Sequence, residues 1–335
     1  MLKIGVVGAG HLGKIHIKCI KELEEYELVG FYDIDPEVSK EVSKQFGIKY
    51  FKNIEDLVDS VDVVDVVTPT VKHFECASIA LKKHKHVFLE KPIVATSQEA
   101  RQLAILALDS NVKVQVGHVE RFNPAYLAVE EEIENPMFMQ VDRLSPYGPR
   151  GTDVPVTLDL MIHDLDILLH IVKSPIKEIR ASGIPIVSKT ADIANTRIEF
   201  VNGAVANLTA SRISMKKMRK FRIFQHNKYL SIDFLNKKSN IIKLSNTPDF
   251  DNPFSLLIND INGENTKQLF FEEPKIKDIN AIKMELSCFY QAIIKDVNPK
   301  VTMFDGIAAL EIANKINDLV DESIQNILKK NNFKI

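Results

Sequence analysis

The sequence predicts an α/β fold, with an N-terminal doubly wound Rossmann domain and a C-terminal α+β domain that contains a large, mostly antiparallel sheet. Three observations predict this fold. Short apolar runs alternate with helical segments up to Gly117, and a glycine-rich loop follows the first of these runs. After Pro124, strand and hairpin patterns replace this alternation. Alternating strands and helices are typical of a parallel sheet, whereas successive strands are typical of an antiparallel one.

The first part of the chain contains apolar strand runs without an inside-outside alternation, such as LKIGVVG (2–8) and VDVVDVVT (61–68). Strands of this kind are buried on both faces, as in a parallel sheet covered by helices. Six strands are predicted, at 2–8, 27–33, near Tyr50, and at 61–68, 85–90 and 112–117. Helices are predicted between them at 12–23, 36–46, 54–58, 73–83 and 97–110.

The second part begins with a short helix, a strand near 137–144 and a very apolar helix at 158–172. Asn202-Gly203 lies between two strand runs and predicts a hairpin. Further strands and two amphipathic helices follow, the helices at 281–295 and 305–330. We therefore expect a Rossmann domain over 1–121 and an α+β domain over 122–335, with a C-terminal helix that could pack back on the first domain.

Composition excludes several classes of function. The 335 residues are 45% hydrophobic and carry a formal net charge of −2, so we expect no nucleic-acid partner and no attraction to anionic lipid. The apolar runs have the length of strands, which predicts no membrane span. The three cysteines form no CxxC pair, which fits a reducing compartment. The expected location is the cytoplasm.

The segment from Gly8 to Gly13 is a G-x-G-x-x-G loop that follows a strand and opens a helix. Gly8 would allow the tight turn, Gly10 the approach of a pyrophosphate, and Gly13 close helix–strand packing. His11 and Leu12 begin the helix, whose N-terminus favours an anion. Asp33 ends the second strand, where its carboxylate would bind the adenosine ribose and repel a 2′-phosphate. The predicted cofactor is therefore NAD.

Three further strands end in polar residues at the edge where ligands bind in doubly wound sheets. The fourth strand ends at Thr68-Pro69, with His73 one turn into the next helix, and the fifth ends at Glu90-Lys91. We predict that Thr68, Pro69, His73 and Glu90 contribute to the cofactor site. Lys91 would stand beside the nicotinamide, where desolvation and positive charge would lower its pKa and allow proton exchange. The alternative is a surface pair between Lys91 and Glu90.

The apolar helix TLDLMIHDLDILLHIV (157–172) carries a polar stripe at i, i+4, i+7 and i+11. Its members are Asp159, His163, Asp166 and His170. Asp159 could orient His163 as a general base for a substrate hydroxyl. The alternatives are a metal site, an N-cap role for Asp159 and a core role for His170. No further ligand cluster is evident in the sequence, so we predict no metal.

In order and spacing, the segments GAGHLGKIH, VVTPTVKHFECASIAL, HVFLEKP and DLMIHDLD resemble the Gfo/Idh/MocA family of oxidoreductases. The resemblance covers most of the chain and is strongest over residues 1–172. It implies that Lys91, Asp159 and His163 serve catalysis and that Pro92 is cis. It also implies that the C-terminal sheet forms dimer or tetramer contacts. The stretch 150–156 departs from the glycine-rich stretch that many members have there.

The segment GHVERFNPA (117–125), together with DLMIHDLD, is most similar to a subgroup that oxidises UDP-N-acetylglucosamine at C3. The resemblance therefore implies hydride transfer between NAD and a secondary hydroxyl carbon of a sugar, with a nucleotide-linked sugar as the favoured substrate. Candidate substrate contacts are Arg121, Asn123, Arg150 and Asp166. The alternatives are a free-sugar or polyol dehydrogenase, an NAD-assisted glycoside hydrolase and a non-catalytic NAD(H) sensor. Whether Lys91 or His163 is the main acid/base stays open.

Six cations lie within the eleven residues from Arg212 to Arg222. Such donors would suit a nucleotide diphosphate, because cationic side chains make strong hydrogen bonds to phosphate. The alternative is a solvated loop or a strand edge that lysines protect from pairing with another chain.

Overall fold

The computed structural model describes residues 1–148, 154–246, 255–259 and 266–331. The chain divides into two compact units. The first comprises Met1–Phe122 and Ile279–Glu311, and the second comprises Asn123–Asp278 and Ile312–Ile335. Each unit has its own sheet. This confirms the predicted fold class, which has a parallel Rossmann sheet and a large, mostly antiparallel sheet.

The sheet of the first unit has five parallel strands in the order β2-β1-β3-β4-β5. They are β1 (Leu2–Val7), β2 (Tyr26–Tyr32), β3 (Val63–Val66), β4 (His86–Glu90) and β5 (Val114–Gly117). The prediction of a sixth strand near Tyr50 was wrong, because Tyr50 forms only an isolated parallel bridge to Phe31. That bridge still places residue 50 beside β2, on the outer edge of the sheet.

Five helices of the first unit lie close to the predicted ranges. They are α1 (His11–Lys21), α2 (Pro36–Phe46), α3 (Ile54–Asp59), α4 (His73–Lys82) and α5 (Ser97–Ser110). Local signals explain their starts. Asp35 accepts hydrogen bonds from the first turn of α2, and Thr96 and Glu99 form a capping box on α5.

The sheet of the second unit has nine strands in the order β13-β14-β12-β11-β10-β6-β9-β8-β7. Its pairs are antiparallel except β6 with β9. The strands are β6 (Phe138–Leu144), β7 (Ile176–Ile184), β8 (Ile193–Phe200), β9 (Val205–Ser211), β10 (Met218–Gln225), β11 (Lys228–Asp233), β12 (Lys238–Ser245), β13 (Ser255–Asn259) and β14 (Thr266–Glu272). The predicted hairpin turn joins β8 to β9, and Gly203 there has φ +88°. Strands β7 and β13 were not predicted.

Two helices of the second unit bear on function. A short helix, α6 (Pro124–Leu127), begins after Asn123. The predicted apolar helix is a π-helical turn over Thr157–Met161 that continues into α7 (Ile162–Ile171). The π turn lies at the start of the polar stripe. Such turns are rare and frequently mark functional sites.

The chain ends in α8 (Ala281–Ile294) and α9 (Met303–Asn331). Leu286 and Phe289 of α8 join the apolar core around Ile4, Phe31 and Phe88, and the structure groups 279–311 with the first unit. The reason is that α8 places these large apolar side chains against the Rossmann core. The predicted second domain, 122–335, included this segment and allowed a C-terminal helix to pack back on the first domain. Across the described ranges, no helix is both long enough and apolar enough to cross a membrane.

Candidate active site

The glycine loop meets two steric requirements and leaves one face open. Gly8 has φ +98°, and a Cβ there would lie 2.7 Å from the carbonyl oxygen of Val67. A Cβ on Gly13 would lie 2.0 Å from the carbonyl oxygen of Gly8. Around Gly10, by contrast, no heavy atom of the described residues lies within 4 Å of the Cβ position. The open face beside the α1 N-terminus therefore suits an approaching phosphate group.

Asp33 follows β2 and is fixed by two backbone donors. Its Oδ2 accepts a hydrogen bond of 2.7 Å from the amide of Ala9, and its Oδ1 accepts one of 2.9 Å from Asp35. The first bond joins the end of β2 to the glycine loop. The carboxylate is half-buried and keeps lone pairs for the hydroxyl groups of a ribose.

A pocket of about 580 Å³ lies beside this loop, within the size range of small-molecule sites. It brings together seven of the ten predicted cofactor residues: Gly8, Gly10, His11, Leu12, Asp33, Thr68 and Pro69. Sequence reasoning missed other lining residues, among them Tyr32, Ile34, Val38, Ile54, Lys72 and Ile79. Ile34 is 81% exposed directly after Asp33, and such a large exposed apolar side chain offers a surface for a ring.

The other three predicted cofactor residues lie outside the lining of this pocket. Gly13 packs against Gly8, as described above. His73 is buried, with Nδ1 2.8 Å from the carbonyl oxygen of Pro92 and Nε2 2.9 Å from that of Thr68. Its ring therefore connects the chain after β3 to the chain after β4. Glu90 is 7% exposed and belongs to a buried polar cluster.

Lys91 directly follows β4, and its peptide bond to Pro92 is cis, which confirms the conformation implied by the resemblance. The amide of Lys91 donates a hydrogen bond of 3.1 Å to Glu90 Oε2. The side chain is half-buried. Glu90 is buried and contacts the backbone amide of Lys91.

In the second unit, the residues of the polar stripe lie in different environments. Asp159 and His163 are half-buried, and the π turn contains the first of them. Asp166 is only 1% exposed. His170 Nε2 lies 3.5 Å from Glu130 Oε1, which supports a structural role for this histidine. Asp159 and His163 stay our candidates for proton transfer.

Asp164, which lies off the stripe, forms a bidentate ion pair with Arg143. Its carboxylate accepts two hydrogen bonds of 2.8 Å from Nε and Nη2 of Arg143 on β6. Both side chains are buried, at 3% exposure. This bidentate pair attaches α7 to the sheet and thereby fixes the helix that carries His163.

The predicted substrate contacts have different surroundings. Arg121 is 1% exposed, with Nη2 3.8 Å from Asp305 Oδ1. Asn123 caps α6 by accepting from the amide of Ala125, and its Nδ2 donates to the carbonyl oxygen of Phe234. These bonds give Asn123 a structural role within the second unit. Arg150 lies outside the described residues.

The cation-rich segment from Arg212 to Arg222 is not one uniform patch. Arg212 is buried and donates to the carbonyl oxygen of Val154. Arg222 pairs with Asp142 at 2.8 Å. Lys216 and Lys217 are exposed in the connection that precedes β10, and Arg219 is exposed on β10, so solvent or a ligand can reach these three cations.

Comparison with known families bears on the fold and the site together. A model described as oxidoreductase family, NAD-binding Rossmann fold, matches residues 2–118. A second, described as the GFO/IDH/MocA C-terminal domain, matches residues 141–229. The chain belongs to the GFO/IDH/MocA family of oxidoreductases. It is an NAD-dependent oxidoreductase, as the sequence predicted.

Named relatives act on several sugars and polyols. The chain is 35% identical to a UDP-N-acetylglucosamine 3-dehydrogenase from Acidithiobacillus ferrooxidans over 241 residues, covering 72% of this chain and 76% of the relative. It is 26% identical to a myo-inositol 2-dehydrogenase from Thermotoga maritima over 229 residues, covering 63% and 69%. A solved structure of the Acidithiobacillus ferrooxidans enzyme has a TM-score of 0.86 at 29% identity and covers 96% of this chain and 98% of that one.

Proposed function

We propose that this oxidoreductase transfers hydride between a secondary hydroxyl carbon of a nucleotide sugar and NAD, with C3 of UDP-N-acetylglucosamine as the favoured position. The observation that carries the proposal is the pocket beside Gly10 and Asp33, combined with Lys91 at the end of β4 in the same unit. This pocket supports NAD binding, and Lys91 supplies a titratable group at the edge of the sheet where ligands bind.

The cofactor supplies the hydride acceptor, and this chain's residues bind it and move the proton. NAD held in the pocket beside Gly10 and Asp33 would accept the hydride that the substrate carbon loses in the oxidising direction. The hydroxyl O–H bond breaks, its proton goes to a side-chain base, and a C=O bond forms. We assign the base to Lys91 or to His163, with Asp159 as the group that orients His163.

Two observations favour a nucleotide sugar over a free sugar or an inositol. The relative named for UDP-N-acetylglucosamine is more similar in sequence than the relative named for myo-inositol, at 35% against 26% identity. Lys216 and Lys217 also offer exposed cations to a diphosphate. Assembly into a homodimer or homotetramer through the second unit, and contacts from Arg121, Asn123, Arg150 and Asp166 to the substrate, stay part of the proposal.

The test is the absorbance of the reduced nicotinamide when the full chain and NAD are mixed with UDP-N-acetylglucosamine. Free N-acetylglucosamine and myo-inositol serve as comparison substrates. NADH formed with the nucleotide sugar alone is the expected result. Equal or faster turnover of a free sugar or inositol would refute the substrate assignment and leave the family activity intact. Hydrolysis of a glycosidic bond without net NADH would favour the hydrolase alternative.

Lys91→Ala tests the proposed acid/base. We expect turnover to fall by two to four orders of magnitude, as for the loss of a general acid/base, whereas NADH binding persists. Lys82→Ala, at an exposed position of α4, is the matched control. Normal turnover of Lys91→Ala would move the assignment to His163, and His163→Ala would then be the inactive variant.

For the exposed cations, Lys216→Ala with Lys217→Ala should raise KM for the nucleotide sugar, compared with a Lys173→Ala, Lys177→Ala control.

A further inference from the structure

Four elements of the first unit bring ionisable side chains to one buried point. His16 comes from α1, Asp65 from β3, Glu90 from β4 and Glu285 from α8. Three of them are 0% exposed, and Glu90 is 7% exposed. We call these four residues the buried cluster. The NAD pocket does not include it, and none of its members except Glu90 was expected to bear on function.

A hydrogen bond and an ion-pair contact connect three members of the buried cluster in a chain. Asp65 Oδ2 lies 2.9 Å from His16 Nδ1, and His16 Nε2 lies 3.3 Å from Glu90 Oε1. Glu90 Oε2 accepts from the amide of Lys91 at 3.1 Å. The chain of contacts therefore ends at the backbone of the proposed acid/base.

Glu285, the fourth member of the buried cluster, lies outside this chain of contacts. Neither carboxyl oxygen has a hydrogen-bond partner among the described residues, although the side chain is fully buried. A carboxyl oxygen of Glu285, a carboxyl oxygen of Glu90 and a ring nitrogen of His16 all lie within 4.8 Å of one another. An unpartnered carboxyl group is therefore directed into a site that already contains two carboxylates.

The charges do not balance if every acid is ionised. Three carboxylates and one imidazolium would leave two uncompensated negative charges in the interior, which is strongly unfavourable. Burial alone would lower the pKa of His16, but the Asp65 and Glu90 carboxylates raise it well above its ordinary value, so the imidazolium is retained. One of the three acids must then take up a proton or face a further cation.

The surroundings favour Glu285 over Asp65, because burial raises the pKa of both acids but the hydrogen bond between Asp65 and His16 opposes this rise at Asp65. Burial and the Glu90 carboxylate raise the pKa of Glu285 well above its ordinary value. Burial would also raise the pKa of Glu90, but its contact with His16 lowers it. The other ionisable groups nearby are Cys19 and Tyr26 beside His16 and Asp65, Cys288 on α8, and Lys91, which acts on Glu90.

We propose that Glu285 is an uncharged, protonated carboxylic acid at neutral pH, that its hydroxyl is directed at the Glu90 carboxylate, and that its proton sets the charge beneath Lys91. Glu285 is thus a positioning residue. It keeps Glu90 available as an acceptor for the amide of Lys91 and leaves one excess negative charge opposite the lysine. The role at Lys91 rests on the proposed function, whereas the protonation state does not.

The first measurement is infrared spectroscopy of the full-length protein at neutral pH. We expect a protonated carboxylic C=O band in the wild type that is absent from Glu285→Gln and retained in Glu24→Gln, a control at an exposed position. Absence of the band from the wild type, or its persistence in Glu285→Gln, would overturn the proposal. So would a stoichiometric metal ion that copurifies with the wild type and is lost from Glu285→Gln.

The second measurement is thermal unfolding from pH 5 to pH 9. The folded chain retains the Glu285 proton where the unfolded chain releases it, so this residue makes the wild type less stable as pH rises above the ordinary carboxyl pKa. Glu285→Gln has no such loss. Its Tm should therefore exceed that of the wild type by a margin that widens by a few degrees per pH unit, and a margin independent of pH would overturn the proposal.

Turnover separates this proposal from the proposed function. Glu285→Gln keeps the cluster uncharged at this position, so we expect its kcat at neutral pH to stay within a few-fold of the wild type, and its alkaline limb to move to higher pH. Loss of the infrared band in Glu285→Gln without a change in the pH profile of turnover would overturn the link to Lys91. If Lys91→Ala were fully active, the acid/base assignment would move to His163 and the link to Lys91 would fail, while the infrared and unfolding results would still test the protonation of Glu285.

Discussion

The three glycines of the phosphate loop should respond differently to the same added methyl group. Gly10→Ala introduces a Cβ where no described atom lies within 4 Å, at a backbone conformation of φ −66° and ψ −159° that alanine adopts readily. Gly13→Ala introduces a Cβ 2.0 Å from the carbonyl oxygen of Gly8 and 2.9 Å from its carbon. The first change meets only space for a ligand, whereas the second meets backbone.

The magnitudes follow from these distances. For Gly13→Ala, overpacking costs about 1–3 kcal/mol and the better helix propensity of alanine returns about 1 kcal/mol. Because the clash is with backbone, we expect the upper end, a net loss of about 2 kcal/mol or roughly 4–8 °C in Tm. For Gly10→Ala, the loss of an N-cap glycine and the reduced entropy of the unfolded chain nearly cancel.

Binding should show the opposite order. The methyl group of Gly10→Ala occupies the approach of the phosphate groups to the α1 N-terminus. Loss of one charge-assisted hydrogen bond there costs about 1.5–3 kcal/mol, which weakens NADH binding by roughly 10- to 150-fold. Titration of NADH fluorescence and thermal unfolding of the same samples measure both quantities. Gly148→Ala is the matched control, because no described atom lies within 4 Å of its Cβ position either.

One outcome would refute this reasoning. If Gly10→Ala lowered Tm as much as Gly13→Ala and left the Kd for NADH unchanged, the open face at Gly10 would serve the fold and not the cofactor.

Three further predictions concern other parts of the chain. Asp33→Asn should weaken NADH binding and raise the NADPH-to-NADH affinity ratio, measured by fluorescence titration, since the charge that repels a 2′-phosphate is lost; an unchanged ratio would contradict the ribose contact. Arg143→Met should lower the free energy of unfolding by about 3–5 kcal/mol in denaturant titrations because it removes both hydrogen bonds that Arg143 donates to the buried Asp164 carboxylate, and Arg143→Met with Asp164→Leu should recover most of this loss. Burial would raise the pKa of Asp192, but the amides of residues 186–188 hold it at about 2, so Asp192→Asn should cost up to about 2 kcal/mol at neutral pH, with the deficit vanishing as pH falls from about 4 to 2.

Elements with a strong local signal could be predicted from the sequence. The glycine loop, the proline at the start of α2 and the capping box of α5 all specify their conformation through neighbours close in sequence. The hairpin at Gly203 is a further case, because its positive φ favours glycine. The prediction of a strand near Tyr50 was wrong for the converse reason, since a single bridge leaves almost no periodic pattern in the sequence.

The division of the chain into units depended on contacts distant in sequence. Nothing within 279–311 indicates which sheet this segment packs on, because its apolar face would suit either. Phe289 and Phe88 are T-shaped ring partners with centroids 6.1 Å apart, although about two hundred residues separate them along the chain. A single sequence shows that α8 has an apolar face, but it does not show which elements pack against that face.

Within the site, the sequence predicted residue types better than their surroundings. The rule that polar groups on an apolar helix face need a partner selected Asp159 and His163. The same rule applies to α8, where Glu285 shares a face with Phe289 and Ala292 at i, i+4 and i+7. Sequence alone could have marked Glu285 as a buried acid on this ground. Its proposed role at Lys91 could be inferred only from the positions of Glu90 and His16. A carboxyl group is neutral or ionised according to the charges around it in the folded chain, which its neighbours in sequence do not reveal.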